Sequence, residues 1–222
     1  MLSADWMEPR RYGARLAVFS ASVILFGAIA LSVMATKPAT TLDRAAMAWA
    51  HAHAVPWLTD VMLGVGYLGG PSVTGVYAFL LVWYFLWRRR FGMGLAVAAI
   101  AYGGMLLNVV VKHAFERARP AIEDPVIVLT TYSFPSGHAA ASTIFAGLLC
   151  VLAFRSGSGQ ADKALAVVLA TIWVGIVCAS RVYLGLHYVT DVLAGVAEGV
   201  AWLALSTLLL ERFGSAPVQT PP

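Results

Sequence analysis

Long apolar stretches dominate the chain, and most polar residues lie in the short segments between them. Six of these stretches approach the roughly 20 residues that a helix needs to cross a bilayer. They are Leu16–Ala35, Val73–Trp87, Met93–Val111, Ala139–Phe154, Ala164–Ala179 and Val192–Leu210. Several are shorter than that length, so we expect their helices to continue beyond the apolar core. The pattern predicts six membrane-spanning helices.

A further apolar segment, Trp57–Gly70, is broken by glycines and by Asp60. Its glycines are Gly64, Gly66, Gly69 and Gly70. Because glycine weakens a helix and a carboxylate resists burial in lipid, we interpret the segment as interfacial or re-entrant.

The first stretch follows Arg10, Arg11 and Arg15, as a signal peptide would, but it is too long for a cleaved signal and predicts a retained helix.

Composition supports a membrane protein. Hydrophobic residues make up 60% of the 222 residues and charged residues 12%, and the mean hydropathy is +0.79. Folding buries only about 70% of a chain this long, so a soluble protein could not hide that much apolar surface. A soluble globular enzyme, a disordered protein and a disulfide-rich secreted domain are excluded. We predict an all-α bundle of six spans over residues 16–212, with short terminal segments at 1–15 and 213–222.

The basic residues indicate the orientation in the membrane, since cytoplasmic segments carry an excess of Lys and Arg. The formal charge is +4, but no long basic stripe suggests a nucleic-acid partner. With the N-terminus inside, the cytoplasmic basic residues are Arg10, Arg11, Arg15, Arg88, Arg89, Arg90, Arg155, Lys163 and Arg212. The outer ones are then Lys37, Arg44, Lys112, Arg117, Arg119 and Arg181. Both termini are therefore expected inside.

The segment after the third span carries two cations seven residues apart, Lys112 and Arg119, followed by Pro120. If the helix continues outward, the two share one face, and Pro120 then ends the helix or turns the chain. Paired cations suit a multiply charged anion, and the arginine fork matches phosphate. Alternatively, the two side chains snorkel from a helix end.

The fourth span is preceded by Phe134-Pro-Ser-Gly-His138. Ser136 is a natural N-cap, and Gly137 allows a ligand to approach the backbone. The free amides and positive dipole at a helix start bind anions. The alternative is an ordinary helix start with an incidental histidine.

Between the fifth and sixth spans, His187 and Asp191 are four residues apart and follow Arg181. On a helix the carboxylate would lie one turn from the imidazole. An aspartate that accepts from one ring nitrogen fixes the tautomer and leaves the other nitrogen free to attack. The alternative is a histidine–aspartate pair that only satisfies itself at the interface.

Together these stretches, K-x6-R-P, P-S-G-H and S-R-x5-H-x3-D, resemble the three-part signature of the type 2 phosphatidic acid phosphatase superfamily. The resemblance covers Lys112 to Asp191 without a departure at any signature position. That superfamily includes lipid phosphate phosphatases, undecaprenyl pyrophosphate phosphatases and vanadium-dependent haloperoxidases.

The resemblance implies a metal-independent hydrolase that forms a phosphohistidine. His187 would attack phosphorus, Asp191 would orient it, and His138 would protonate the leaving group. The implied phosphate-binding residues are Lys112, Arg119, Ser136, Gly137 and Arg181. Candidate substrates are undecaprenyl pyrophosphate, phosphatidylglycerophosphate and phosphatidic acid, met at the outer, periplasmic face. A lipid phosphotransferase and a non-catalytic membrane scaffold remain as alternatives.

No cofactor or metal is expected. Three cations at the same place would repel a metal ion, and no HExxH motif or cysteine pair accompanies the histidines. His51 and His53 are a weak metal pair, because residues two apart do not face together on a helix. Cys150 and Cys178 lie inside apolar runs and are interpreted as small buried hydrophobic residues.

Three polar residues keep more than one interpretation. Glu198 lies seven residues after Asp191, within the sixth span, where it either bonds a neighbouring helix or lines the substrate cavity. Arg117 and His113 either contact a second phosphate or face solvent.

Overall fold

The computed structural model describes residues 9–36, 39–121, 129–157 and 159–214, and every regular element within them is an α-helix. The helices are α1 (Pro9–Ala35), α2 (Thr41–Ala52), α3 (Pro56–Leu68), α4 (Pro71–Trp87), α5 (Phe91–Phe115), α6 (Gly137–Arg155), α7 (Gln160–Tyr183) and α8 (Val189–Gly214). The prediction of an all-α fold is confirmed. Parts of the two terminal segments, together with Lys37, Glu123 and Asp124, lie outside the described residues.

The predicted spans correspond to helices that are long and apolar enough to cross a membrane. Five helices, α1, α5, α6, α7 and α8, meet that requirement alone. Helices α3 and α4 meet it as a pair bent by 43°, which makes up to six spans. The break between them falls at Gly69 and Gly70, inside the segment interpreted as interfacial or re-entrant. The helices also extend beyond their apolar cores, as expected.

Helix α2 is an element that the sequence analysis did not predict. It has 12 residues and begins with a capping box, in which Thr40 and Asp43 bond each other's backbone amides. This arrangement satisfies two amide groups that a helix start otherwise leaves without partners. The side chain of Asp43 is fully buried, so α2 carries a carboxylate into the interior at its first turn.

Small residues allow α8 to pack tightly against the start of α6. A Cβ atom placed on Gly195 would lie 2.5 Å from the Ser136 carbonyl oxygen, and one on Gly199 would lie 2.9 Å from the Thr143 Cβ. Close backbone approach through glycine is a common packing mode between membrane helices. The packing fixes the first turn of α6 beside the first turn of α8.

Candidate active site

The three predicted stretches meet at one end of the bundle. They occupy the loop after α5, the start of α6, and the connection between α7 and α8. Backbone hydrogen bonds join them: Ser136 N donates to the Asp191 carbonyl at 2.9 Å, and Ser133 N, just before the second stretch, donates to the Arg117 carbonyl of the first at 2.8 Å. Residues far apart in the sequence thus form one cluster of cations, imidazoles and a carboxylate.

His187 and Asp191 form a buried pair, with 3.4 Å between Nδ1 and Oδ2. The four-residue spacing would bring the two together on one helix, but His187 precedes the start of α8 at Val189. Helix α7 ends in a Schellman motif with Gly185 in the left-handed position, at φ 65°. The turn brings His187 back over the first turn of α8, so the pair forms without a shared helix.

Burial determines the protonation state of His187. It lowers the pKa of the imidazole to about 4; the hydrogen bond and charge of Asp191 oppose the shift, and Arg119 and Lys112 add to it. The ring is therefore neutral at pH 7. Its Nε2 atom lies 3.2 Å from the Arg119 Nη1 atom. With the ring proton on Nδ1 towards Asp191, the Nε2 lone pair faces the cations.

Lys112 and Arg119 converge on the carbonyl of Tyr132. Lys112 Nζ donates to it at 2.8 Å and Arg119 Nη2 at 3.3 Å. The expected shared helix face is wrong, because α5 ends at Phe115 and Glu116 adopts the left-handed conformation at φ 45°. Arg119 therefore reaches the site from a loop, and Pro120 does not end the helix.

Arg181 and His138 form the other side of the cluster, with 3.2 Å between Nη1 and Nε2. The wall behind them is the bend between α3 and α4. A Cβ atom on Gly66 would lie 1.5 Å from the Arg181 Nη2 atom, and one on Gly70 would lie 3.4 Å from His138 Nε2. From the sequence these glycines are interpreted only as helix breakers, because no local pattern indicates the arginine packed against them.

Ser136 caps α6 as predicted, accepting from Ala139 N at 3.5 Å. The amides of the first helical turn have no acceptor within their own helix. A Cβ atom on Gly137 would lie 3.1 Å from Asn108 Oδ1 and 3.7 Å from Lys112 Cε. The bare backbone of Gly137 therefore lies beside Lys112, in the arrangement of an anion site.

A network behind Asp191 was not found from the sequence. Ser133 Oγ and Tyr188 N both donate to Asp191 Oδ2. Arg117 forms ion pairs with Asp191 and with Asp43 of α2, so it neither faces solvent nor points at a second phosphate. Only the Thr40-x-x-Asp43 capping pattern marks this region in the sequence, and it indicates a helix start without indicating burial.

The structure also shows the surroundings of Glu198 and His113, whose roles the sequence left open. Glu198 accepts from Asn108 Nδ2 of α5 at 2.7 Å, which is the bond to a neighbouring helix. His113 is exposed, and its Nδ1 atom lies 2.8 Å from the Val109 carbonyl. Among the described residues, no group of three His, Cys, Asp or Glu side chains is placed to hold a metal ion.

Comparison with known proteins identifies the relatives of the chain. The model of the PAP2 superfamily matches residues 93–215. The chain is 31% identical over 181 residues to phosphatidylglycerophosphatase B of Bacillus subtilis, covering 81% of this chain and 88% of that protein. It is 28% identical over 177 residues to a putative undecaprenyl-diphosphatase of Escherichia coli, covering 72% and 81%. The crystal structure of a transmembrane PAP2-type phosphatidylglycerolphosphate phosphatase from Bacillus subtilis superimposes with a TM-score of 0.72 at 29% identity, covering 90% of this chain and 96% of that one.

Proposed function

Because this chain belongs to the PAP2 superfamily, we propose that it removes phosphate from a membrane lipid through a covalent intermediate on His187. The chain is an integral membrane phosphatase of lipid phosphate esters; the nucleophile and the lipid are the proposed part. The observation that carries the proposal is the position of His187. Its neutral ring faces Asp191 with Nδ1 and the Arg119 guanidinium with Nε2.

The first chemical step transfers the phosphoryl group to the enzyme. The Nε2 lone pair of His187 forms a bond to phosphorus as the phosphorus–oxygen bond to the lipid breaks. The bonding electrons leave with the lipid oxygen, which takes the proton carried by His138. The step therefore begins with the protonated imidazole, a form that the negative charge of the bound phosphate favours. Asp191 stabilises the charge that develops on the imidazole through its contact with Nδ1.

The second step returns the enzyme to its starting state. A water molecule attacks phosphorus and gives its proton to His138, which is by then the base. The nitrogen–phosphorus bond breaks and its electrons return to Nε2. Inorganic phosphate leaves, and His187 is neutral again.

The cations of the site supply the charge stabilisation that phosphoryl transfer requires. Lys112, Arg119 and Arg181 bring positive charge to the phosphate oxygens, and the first-turn amides of α6 add hydrogen bonds. Since three cations more than offset the two charges of a phosphate dianion, the proposed reaction needs no metal ion.

The names of the relatives suggest the substrate class. A phosphatidylglycerophosphatase and a putative undecaprenyl-diphosphatase are both named for the removal of phosphate from a phosphorylated lipid, and each is matched over most of its length. We therefore infer a lipid monophosphate or pyrophosphate, met at the periplasmic face of a bacterial inner membrane. Phosphatidylglycerophosphate, undecaprenyl pyrophosphate and phosphatidic acid form the panel to compare.

The test uses the full chain in detergent with the three lipids, each labelled in its terminal phosphate. We expect phosphate release that is unchanged by EDTA, and a labelled protein after a rapid quench in alkaline denaturant. His187→Gln should abolish both release and labelling. The matched control is His113→Gln, an exposed histidine at the same end of the bundle, which should retain both.

Two results would contradict the proposal. Labelling that survives in His187→Gln would place the intermediate elsewhere, and activity that is lost in EDTA and restored by magnesium would require a metal. Transfer of the label to an added alcohol in preference to water would instead identify a phosphotransferase.

A further inference from the structure

We propose that Asp43 and Arg117 are positioning residues for phosphoryl transfer: the carboxylate of α2 holds the guanidinium, and the guanidinium holds Asp191 in the orientation that His187 needs. Asp43 lies outside the signature stretches, Arg117 occupies one of the unspecified positions of K-x6-R-P, and neither touches the reacting atoms. The inference rests on the proposed function, because it assigns both residues to the reaction of His187.

Arg117 bridges two buried carboxylates. Its Nη2 atom lies 2.9 Å from Asp43 Oδ2, and its Nη1 atom is paired with Asp191 Oδ1. The guanidinium also lies over the Tyr188 ring, 4.1 Å from the ring centre, which adds a cation–π contact. With a side chain only 6% exposed, Arg117 is held in one geometry.

Asp43 is fixed as firmly as the arginine that it binds. Its side chain is fully buried and accepts from Thr190 N at 3.0 Å and from Thr40 N at 3.1 Å. Burial raises the pKa of the carboxyl, but the hydrogen bonds from Thr190, Thr40 and Arg117 outweigh it, so the pKa lies below its ordinary value. The group is therefore an anion at neutral pH that neutralises part of the charge of Arg117.

This arrangement divides the oxygens of Asp191 between two tasks. Oδ1 binds Arg117, while Oδ2 accepts from Ser133 and Tyr188 and faces the Nδ1 atom of His187. The contact of Arg117 with one oxygen and the bonds from Ser133 and Tyr188 to the other together fix the orientation of the carboxylate. The negative charge of Asp43 offsets part of the positive charge of Arg117. Arg117 therefore attracts the electrons of the Asp191 carboxylate less strongly, and Asp191 remains a strong hydrogen-bond acceptor for the imidazole.

The charges around His187 come from several elements. The groups are Lys112 of α5, Arg117 and Arg119 of the following loop, His138 of α6, Arg181 of α7, Asp191 of α8 and Asp43 of α2. Asp191 and Asp43 are the anions in this set. Neutralising Asp43 therefore makes the surroundings of His187 more positive, whereas neutralising Arg117 makes them more negative.

The experiment measures kcat, KM and the pH dependence of kcat/KM in four variants. The fall in kcat/KM at low pH is called the acid limb. Asp43→Asn, which keeps the shape of the side chain, should lower kcat by about 10- to 100-fold, the scale expected for a small misplacement of a catalytic group. KM should stay within about threefold, because the lost interaction acts in the transition state. The acid limb should move to lower pH, since added positive charge disfavours the imidazolium form.

Arg117→Gln should lower kcat as well, but should move the acid limb to higher pH. This variant leaves two buried carboxylates without their shared cation and is at risk of misfolding. The double variant Asp43→Asn with Arg117→Gln removes both charges. It should fold and return the acid limb to near its wild-type position. Two opposite shifts that cancel are a signature that general structural damage does not produce.

The matched control is Asp60→Asn, an exposed carboxylate on α3, which should retain wild-type kcat, KM and pH profile. The positioning role is overturned if Asp43→Asn keeps kcat within twofold and an unmoved acid limb, or if it raises KM alone. The proposed function fails on separate results: it is contradicted if the wild-type protein releases no phosphate, or if His187→Gln still releases it.

Discussion

At the scale of single residues, the two histidines of the site lie in different surroundings. His187 is fully buried against Asp191. His138 lies in the first turn of α6, half-buried, with Arg181 at its Nε2 atom and no carboxylate among its described hydrogen-bond partners. A ring oriented by a carboxylate suits a nucleophile, and a ring beside the cations proposed to bind phosphate suits proton transfer. The two substitutions should therefore have different kinetic effects.

The task assigned to His138 depends on the leaving group. An alkoxide that leaves a lipid monophosphate needs a proton, whereas nitrophenolate leaves readily without one. We expect His138→Ala to lower kcat/KM for phosphatidic acid by roughly 10²- to 10⁴-fold, the usual contribution of a positioned acid, and to lower it clearly less for nitrophenyl phosphate. His113→Ala serves as the control for both substrates. Equal losses with the two substrates would show that His138 only binds phosphate.

The burial of His187 predicts an unusual pH dependence. Burial lowers its pKa to about 4, against about 6.5 for a free histidine. A lowered pKa means that the ring stays neutral, and able to attack, as the pH falls through 6 and 5. Nitrogen-15 NMR of the detergent-solubilised protein can follow this ring directly, with His187→Gln identifying its signal. The expected result is a neutral ring at pH 5; titration near pH 6.5 would contradict it.

At the scale of elements, the ends of helices position the site, and they differ in how far a sequence predicts them. The serine cap of α6 and the left-handed glycine after α7 follow from local preferences. Ser136 was predicted on that ground. The end of α5 was not, because Glu116 takes a left-handed conformation that a residue with a side chain rarely adopts. The position of Arg119 was misjudged for that reason, although its presence at the site was expected.

The network of Asp43 and Arg117 shows why the rest could not be predicted. The two residues are 74 positions apart, and neither helix propensity nor apolar spacing connects them. Their contact depends on how α2 packs beside the start of α8, which is a property of the tertiary structure. The signature identifies residues at the centre of the cluster, whereas Asp43, which supports them from another helix, is found only once the helices are assembled.

Helix α3 provides a test at the same scale, because its glycine at position 66 leaves room for the Arg181 guanidinium. Gly66→Ala would place a Cβ atom 1.5 Å from Nη2, so the guanidinium must leave its present position beside His138. We expect a loss of activity of about 100-fold with little change in melting temperature, since only the end of a side chain is displaced. Gly64→Ala, where nothing lies within 4 Å, is the matched control and should remain active. An active Gly66→Ala enzyme would show that Arg181 is not needed in its present position.

At the scale of the whole molecule, the proposed chemistry is concentrated at one end of the bundle. The cations of the site come from the loop after α5 and the end of α7, which lie at that end. Arg88, Arg89 and Arg90 lie between α4 and α5, at the opposite end. Since clustered arginines beside a span favour the cytoplasm, this distribution supports a site that faces outward, towards lipids of the outer leaflet.

Labelling of single cysteines tests this orientation. The test starts from a variant in which both native cysteines are replaced, Cys150→Ala with Cys178→Ala. One of two substitutions is then added: Ser156→Cys, at an exposed position between α6 and α7, or Ala121→Cys, at an exposed position beyond the cations of the site. In intact spheroplasts, a thiol reagent that cannot cross the membrane should label the variant at position 121 and spare the one at position 156. Permeabilised cells should label both, which controls for reactivity. The reverse pattern in intact cells would place the catalytic cluster in the cytoplasm and require a substrate drawn from the inner leaflet.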